Sequence, residues 1–187
     1  MGFFDSFARG FNDFIFFNVF GHLLFIVVLC GIYTLKSWKG VSSYLVFFMI
    51  GMAFTFYISW LDFSRLSGNT LKILIPVTVI VTAFTNFFVK KGVFTNKYPS
   101  QNYRYYFALI AGLIHGFAFG TSRAGGFFGD SLGYSLGLIV CIWAFAFVFL
   151  LVALILTYFL RVRLREWNLI ISGASAGVAV FKLFMGM

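Results

Sequence analysis

Apolar residues run along this chain in six long blocks, parted by short polar breaks that hold most of the charge. A helix rising ~1.5 Å per residue needs about 20 apolar residues to cross a hydrocarbon layer ~30 Å thick. Blocks of that length predict spans near 14–35, 41–61, 70–89, 104–122, 132–160 and 167–185. The fifth is long for one crossing and predicts tilt or projection beyond the bilayer. Ahead of the first block, Phe3, Phe4, Phe7, Phe11 and Phe14 recur at spacings of one, three and four, with Asp5, Ser6, Arg9 and Asn12 largely between them. That periodicity predicts a short amphipathic helix over 1–13 lying in the membrane interface. The expected fold is an all-α integral membrane protein. It is a six-transmembrane-helix bundle forming a single domain over 1–187, with the interfacial helix at its amino end.

Composition strengthens this picture. The 187 residues are 61% hydrophobic, 22% aromatic and 10% charged, against ~45–50% apolar and ~25% charged in soluble domains. Too few polar side chains exist to cover a water-facing exterior. Soluble enzymes, disordered tails and disulfide scaffolds are excluded. The net charge of +9 does not indicate nucleic acid, because basic residues of membrane proteins gather in cytoplasmic loops beside anionic lipid. The expected partners are the lipid bilayer and other membrane protein subunits or a second copy.

Charge placement also predicts orientation. Lys36, Lys39, Lys90, Lys91, Lys97, Arg104, Arg161, Arg163 and Arg165 fall in the loops after spans one, three and five; Arg9, Arg65, Lys72, Arg123 and Lys182 fall on the other side. The positive-inside rule then puts the odd loops in the cytoplasm and both termini outside. Short loops, with the family resemblance given below, suggest a bacterial inner membrane with periplasmic amino and carboxyl termini, an organelle membrane of bacterial descent being the alternative. The longest connection, Lys90 to Tyr103, carries Asn96, Pro99, Ser100, Gln101 and Asn102 and reads as a solvated loop.

Candidate chemistry is sparse. Ionisable groups inside a membrane are the default functional candidates because they are costly there, and the deeply placed ones are His22 in span one and His115 in span four. Counting residues from the outer ends puts both roughly 10–12 Å below the outer surface. Two neutral imidazoles can ligate a transition metal, with Met52 as a soft third donor, though tight sites take three or four ligands. The alternative is two buried histidines hydrogen-bonded to neighbouring helices. Thr78, Thr82, Thr85 and Asn86 mark span three with polar groups, and threonines in such places commonly bond their own helix backbone. Gly112, Gly116 and Gly120 form a four-residue stripe, as do Gly129, Gly133 and Gly137; such stripes let helix backbones approach. Cys30 and Cys141 read as free buried thiols. No nucleophile–base pair, paired carboxylates or phosphate-binding glycine loop occurs, so no enzyme and no cofactor are expected.

Several strings together resemble the HupE/UreJ family of small membrane proteins. They are His22-Leu23-Leu24-Phe25, Leu74-Ile75-Pro76-Val77-Thr78 and Gly112-Leu113-Ile114-His115-Gly116-Phe117, with weaker support from Ser37-Trp38-Lys39, Leu136-Gly137 and Arg165-Glu166-Trp167. The similarity runs from span one to span six. It implies a nickel permease or an accessory protein of nickel hydrogenases and ureases. The family's polar positions are largely replaced here. Its Asp-His pair is Gly21-His22, its span-two histidine falls on Met52, the glutamate opening span three on Lys72, and that of span five near Ile139. A divalent cation in a low-dielectric site needs charge compensation that imidazoles do not supply. The leading expectation is therefore a non-catalytic accessory subunit packing against other membrane proteins. The alternative is a nickel-type, or other transition-metal, permease using His22 and His115, with Met52 and thiols serving a soft ion.

Overall fold

The computed structural model describes residues 2–16, 20–64, 66–89, 102–121 and 128–185. Among them the chain forms seven α-helices and no strand: α1 (Phe3–Phe16), α2 (Phe20–Cys30), α3 (Trp38–Trp60), α4 (Gly68–Phe87), α5 (Asn102–Thr121), α6 (Phe128–Phe159) and α7 (Leu164–Met185), with a 3-10 turn, Leu35–Ser37, leading into α3. Four segments are long and apolar enough to cross a membrane: α3, α4, Asp130–Phe159 of α6, and α7. The loop over 90–101 and residues Arg65 and Arg123, which entered the charge count, lie outside the described residues.

Local chemistry explains several helix ends. Ser67 caps α4, its hydroxyl accepting from the Thr70 backbone N–H at 3.1 Å. α3 stops where Asp62 turns left-handed with φ 63°, and Arg161 does the same after α6 with φ 53°. A short polar residue such as aspartate reaches that region more readily than most. Pro76 sits inside α4, where its missing N–H leaves the Lys72 carbonyl without the usual helix bond.

Of the block expected as one span over 14–35, the described residues form the end of α1, to Phe16, and α2, from Phe20; residues 17–19 lie outside the described residues. The amphipathic helix forms, over Phe3–Phe16, and packs on another helix. It runs along α6, with Gly133 against the Phe3 backbone, Gly137 against Phe7 and Phe11, and Gly10 against Tyr134. Two hydrogen bonds fix the pair: Ser6 Oγ donates to Asp130 Oδ1 at 3.4 Å and Tyr134 OH to Asp13 Oδ2 at 3.0 Å. Two polar residues of α1, Ser6 and Asp13, thus find partners on a neighbouring helix.

The remaining pairings use the same device. Residue numbers climb together along α3 and α5: Gly112 lies against Phe48 and Met52, Gly116 against Met52 and Thr55, and Gly120 against Phe56 and Ser59. The two helices are therefore parallel, in contact backbone to backbone. Thr55 reinforces them by donating to the Leu113 carbonyl at 2.7 Å. α4 and α7 run antiparallel, since Asn86 near the end of one meets Asn168 and Ser172 near the start of the other. Between these pairs sits a core of Phe14, Phe25, Ile26, Phe48, Phe56 and Phe119. The exterior is apolar too. Phe54, Phe84, Phe147 and Phe181 are each more than half exposed, an arrangement that suits a hydrocarbon solvent and not water.

Candidate functional site

His22 on α2 and His115 on α5 meet inside the bundle, 1% and 0% exposed. Their Nδ1 atoms are 2.7 Å apart, and His115 Nε2 lies 3.0 Å from Thr78 Oγ1 on α4. Aromatic rings close around them. Phe14 and Phe119 face His22, while Phe25 and Phe48 face His115, with ring centroids 4.4 to 6.3 Å apart. Thus three helices supply the polar atoms and four supply the surrounding rings.

The hydrogen-bond network assigns the tautomers. Thr78 Oγ1 lies 2.7 Å from the Ile75 carbonyl, which can only accept, so the hydroxyl proton goes there. Its oxygen then accepts from His115 Nε2–H. That leaves His115 Nδ1 as an acceptor, filled by His22 Nδ1–H. The chain ends at His22 Nε2, a bare lone pair with no hydrogen-bond partner among the described residues. The opposite assignment would bury an unmet N–H donor, which is rarer than an unmet acceptor.

This geometry does not fit a metal ion between the rings. Two nitrogens held at ~2.0 Å from a tetrahedral ion lie about 3.3 Å apart, and here the facing Nδ1 atoms are spent on each other at 2.7 Å. His22 Nε2 is the single open donor of the pair. Among the described residues no group of three or more His, Cys, Asp or Glu is placed to hold a metal. Met52 is buried at 2%, and its backbone is what seats Gly112 and Gly116. Lys72 is exposed and turned away from the bundle. Cys30 and Cys141 are both buried and free.

A second polar cluster lies about 12 Å along α4, two turns beyond Thr78. Asn86 donates to the Val28 carbonyl at 2.8 Å and to Ser172 Oγ at 3.0 Å, and accepts from Arg104 Nη2 at 2.7 Å. Asn168 donates to the Asn86 carbonyl at 3.0 Å. Arg104 is 2% exposed and stands over the Tyr33 ring, 5.9 Å from its centroid. This corrects the sequence reading, which counted Arg104 among the solvated loop charges. The available signal was Asn86, a residue with more hydrogen-bonding capacity than an isolated helix can satisfy. Asn168, Ser172 and Ser175, at helical spacing on α7 and all buried, were the other missed sign. Between the clusters, Thr82 and Thr85 bond the carbonyls of Thr78 and Thr82 in their own helix, each at 2.7 Å.

These features define a helical membrane protein with a dry, aromatic-walled histidine pair and a buried arginine–amide cluster. The chain matches no family model, no curated protein and no solved structure.

Proposed function

We propose that this chain is a HupE/UreJ-like, non-catalytic membrane subunit that carries one face for a helix of another membrane protein or of a second copy. α1 and α2 together make one broken crossing, and α3 to α7 make five more. The odd loops face the cytoplasm of a bacterial cell and both termini face the periplasm. The basic excess of those loops supports this orientation.

One observation carries the reading. Glycines at 10, 51, 112, 116, 120, 133 and 137 each press against a neighbouring element of this same chain, close enough that an added methyl would collide. Gly173 and Gly177 on α7 have nothing within 4 Å, and both are exposed with Ile170 and Phe181 on the same face. Lipid offers no hydrophobic drive for helix association, so close backbone approach at small residues is a main source of it. The bare seat on α7 has the form of the filled seats elsewhere. In this reading His22 and His115 are a clasp between α2 and α5.

The test is purification in mild detergent of wild type and of Gly173→Leu/Gly177→Leu. A stoichiometric second membrane polypeptide, or a dimer, that the variant loses supports the proposal. A wild-type protein that stays monomeric and alone overturns it. A second reading rests on the open lone pair of His22 Nε2: a metal permease that binds its ion there after the pair opens. Near-stoichiometric nickel, copper or zinc on the lone protein, lost in His22→Phe, would favour that reading instead.

A further inference from the structure

A cavity of about 270 Å³ lies between the start of α3 and the middle of α6, half open to the outside. Leu35, Trp38 and Leu45 form one wall and Trp143, Phe147 and Leu150 the other. Its wall is more apolar than its residue names suggest. The one hydroxyl there, on Ser42, is turned onto the Trp38 carbonyl at 2.8 Å. At roughly 30 Å³ per small group, about the share of one water in the liquid, the cavity holds a chain of about nine such groups. It is greasy rather than polar.

Charge at the mouth selects the occupant. Trp38, exposed at the start of α3, lines the groove, and the exposed Lys39 is its next residue along the chain. In the orientation proposed above, this is the cytoplasmic end of α3. Tryptophan prefers headgroup depth, and basic residues there attract anionic lipid. We propose that this groove seats one acyl chain of an anionic phospholipid, with its headgroup held at Lys39. The site is independent of the histidine pair and of the seat on α7.

Brominated acyl chains quench nearby tryptophan, and Trp38 and Trp143 both line the groove. A Trp60→Phe/Trp167→Phe background leaves these two as reporters. In phosphatidylcholine vesicles, brominated phosphatidylglycerol should quench them about fivefold more effectively than brominated phosphatidylcholine at equal fraction, the gain of one basic residue beside an anionic surface. Lys39→Gln should abolish that preference, and Ser42→Phe, which fills the groove, should reduce quenching by both lipids. Equal quenching by the two lipids overturns the proposal. So does a preference that survives Ser42→Phe, since the lipid would then bind elsewhere. Native mass spectrometry of the unmodified protein gives a check free of substitutions. Retained phosphatidylglycerol supports the site, and retention of both lipids alike refutes it.

Discussion

Arg104 donates to Asn86 across 18 residues of chain, at 2.7 Å and out of reach of solvent. Removing Asn86 takes an acceptor from a buried guanidinium together with the amide's own two donor bonds, whereas removing the arginine leaves only an amide to be satisfied. Breaking a buried charged contact from the neutral side is the costlier change. Asn86→Ala is expected to lower stability by about 2–4 kcal/mol, because its Val28 and Ser172 bonds go too. Arg104→Met should cost clearly less. Unfolding in a denaturing detergent, followed by circular dichroism, ranks the two; the reverse order would show that the cluster is organised around the arginine.

The histidine clasp yields a coupling measurement. His22→Phe and His115→Phe each lose the shared bond, and the second also frees Thr78. Each single change is expected to cost about 1–2 kcal/mol, and the double change less than their sum by about 0.5–1.5 kcal/mol. Additive losses would mean that the two rings stabilise the bundle separately despite their contact.

Glycines provide a paired test. A methyl at Gly112 lands on the Phe48 carbonyl, while one at Gly173 meets nothing within 4 Å. Gly112→Ala should destabilise the isolated chain by about 2 kcal/mol or more, through forced separation of α3 and α5. Gly173→Ala should leave it unchanged or raise its stability by up to about 1 kcal/mol, through helix propensity. Equal losses at both sites would show that α7 already has a partner within the chain.

Topology is open to direct labelling. Cysteines placed at Lys39 and Arg163 should react with an impermeant maleimide from one face of sealed vesicles, and a cysteine at Asp62 from the other. Cys30 and Cys141 are buried and should stay silent until the protein is unfolded. Labelling of Lys39→Cys and Asp62→Cys from the same face would remove α3 from the set of crossings.

Much of the architecture was legible because a membrane helix must be long and apolar, and α3, α4, α6 and α7 satisfy that requirement in sequence alone. The packing of α1 on α6 was not, because an amphipathic stripe is the same whether it meets headgroups or a helix. Depth arithmetic put His22 and His115 at one level, but the rotation of α2 and α5 that turns their Nδ1 atoms together is a property of the whole bundle. Arg104 was misread because an arginine at a helix start ordinarily reaches for water. Its burial depends on Asn86, and no local pattern records that pairing.

The close helix pairs of this bundle are not neighbours in the chain. Ser6 finds Asp130 only after 124 further residues have been made, and α3 must wait for α5 while α4 stands between them. A chain threaded into a bilayer from its amino end therefore passes through a long interval in which α1, with Asp5 and Asp13, has no seat. During that interval the headgroup layer is the natural shelter for its stripe, and α1 gains its seat only when α6 arrives, with α7 still to come.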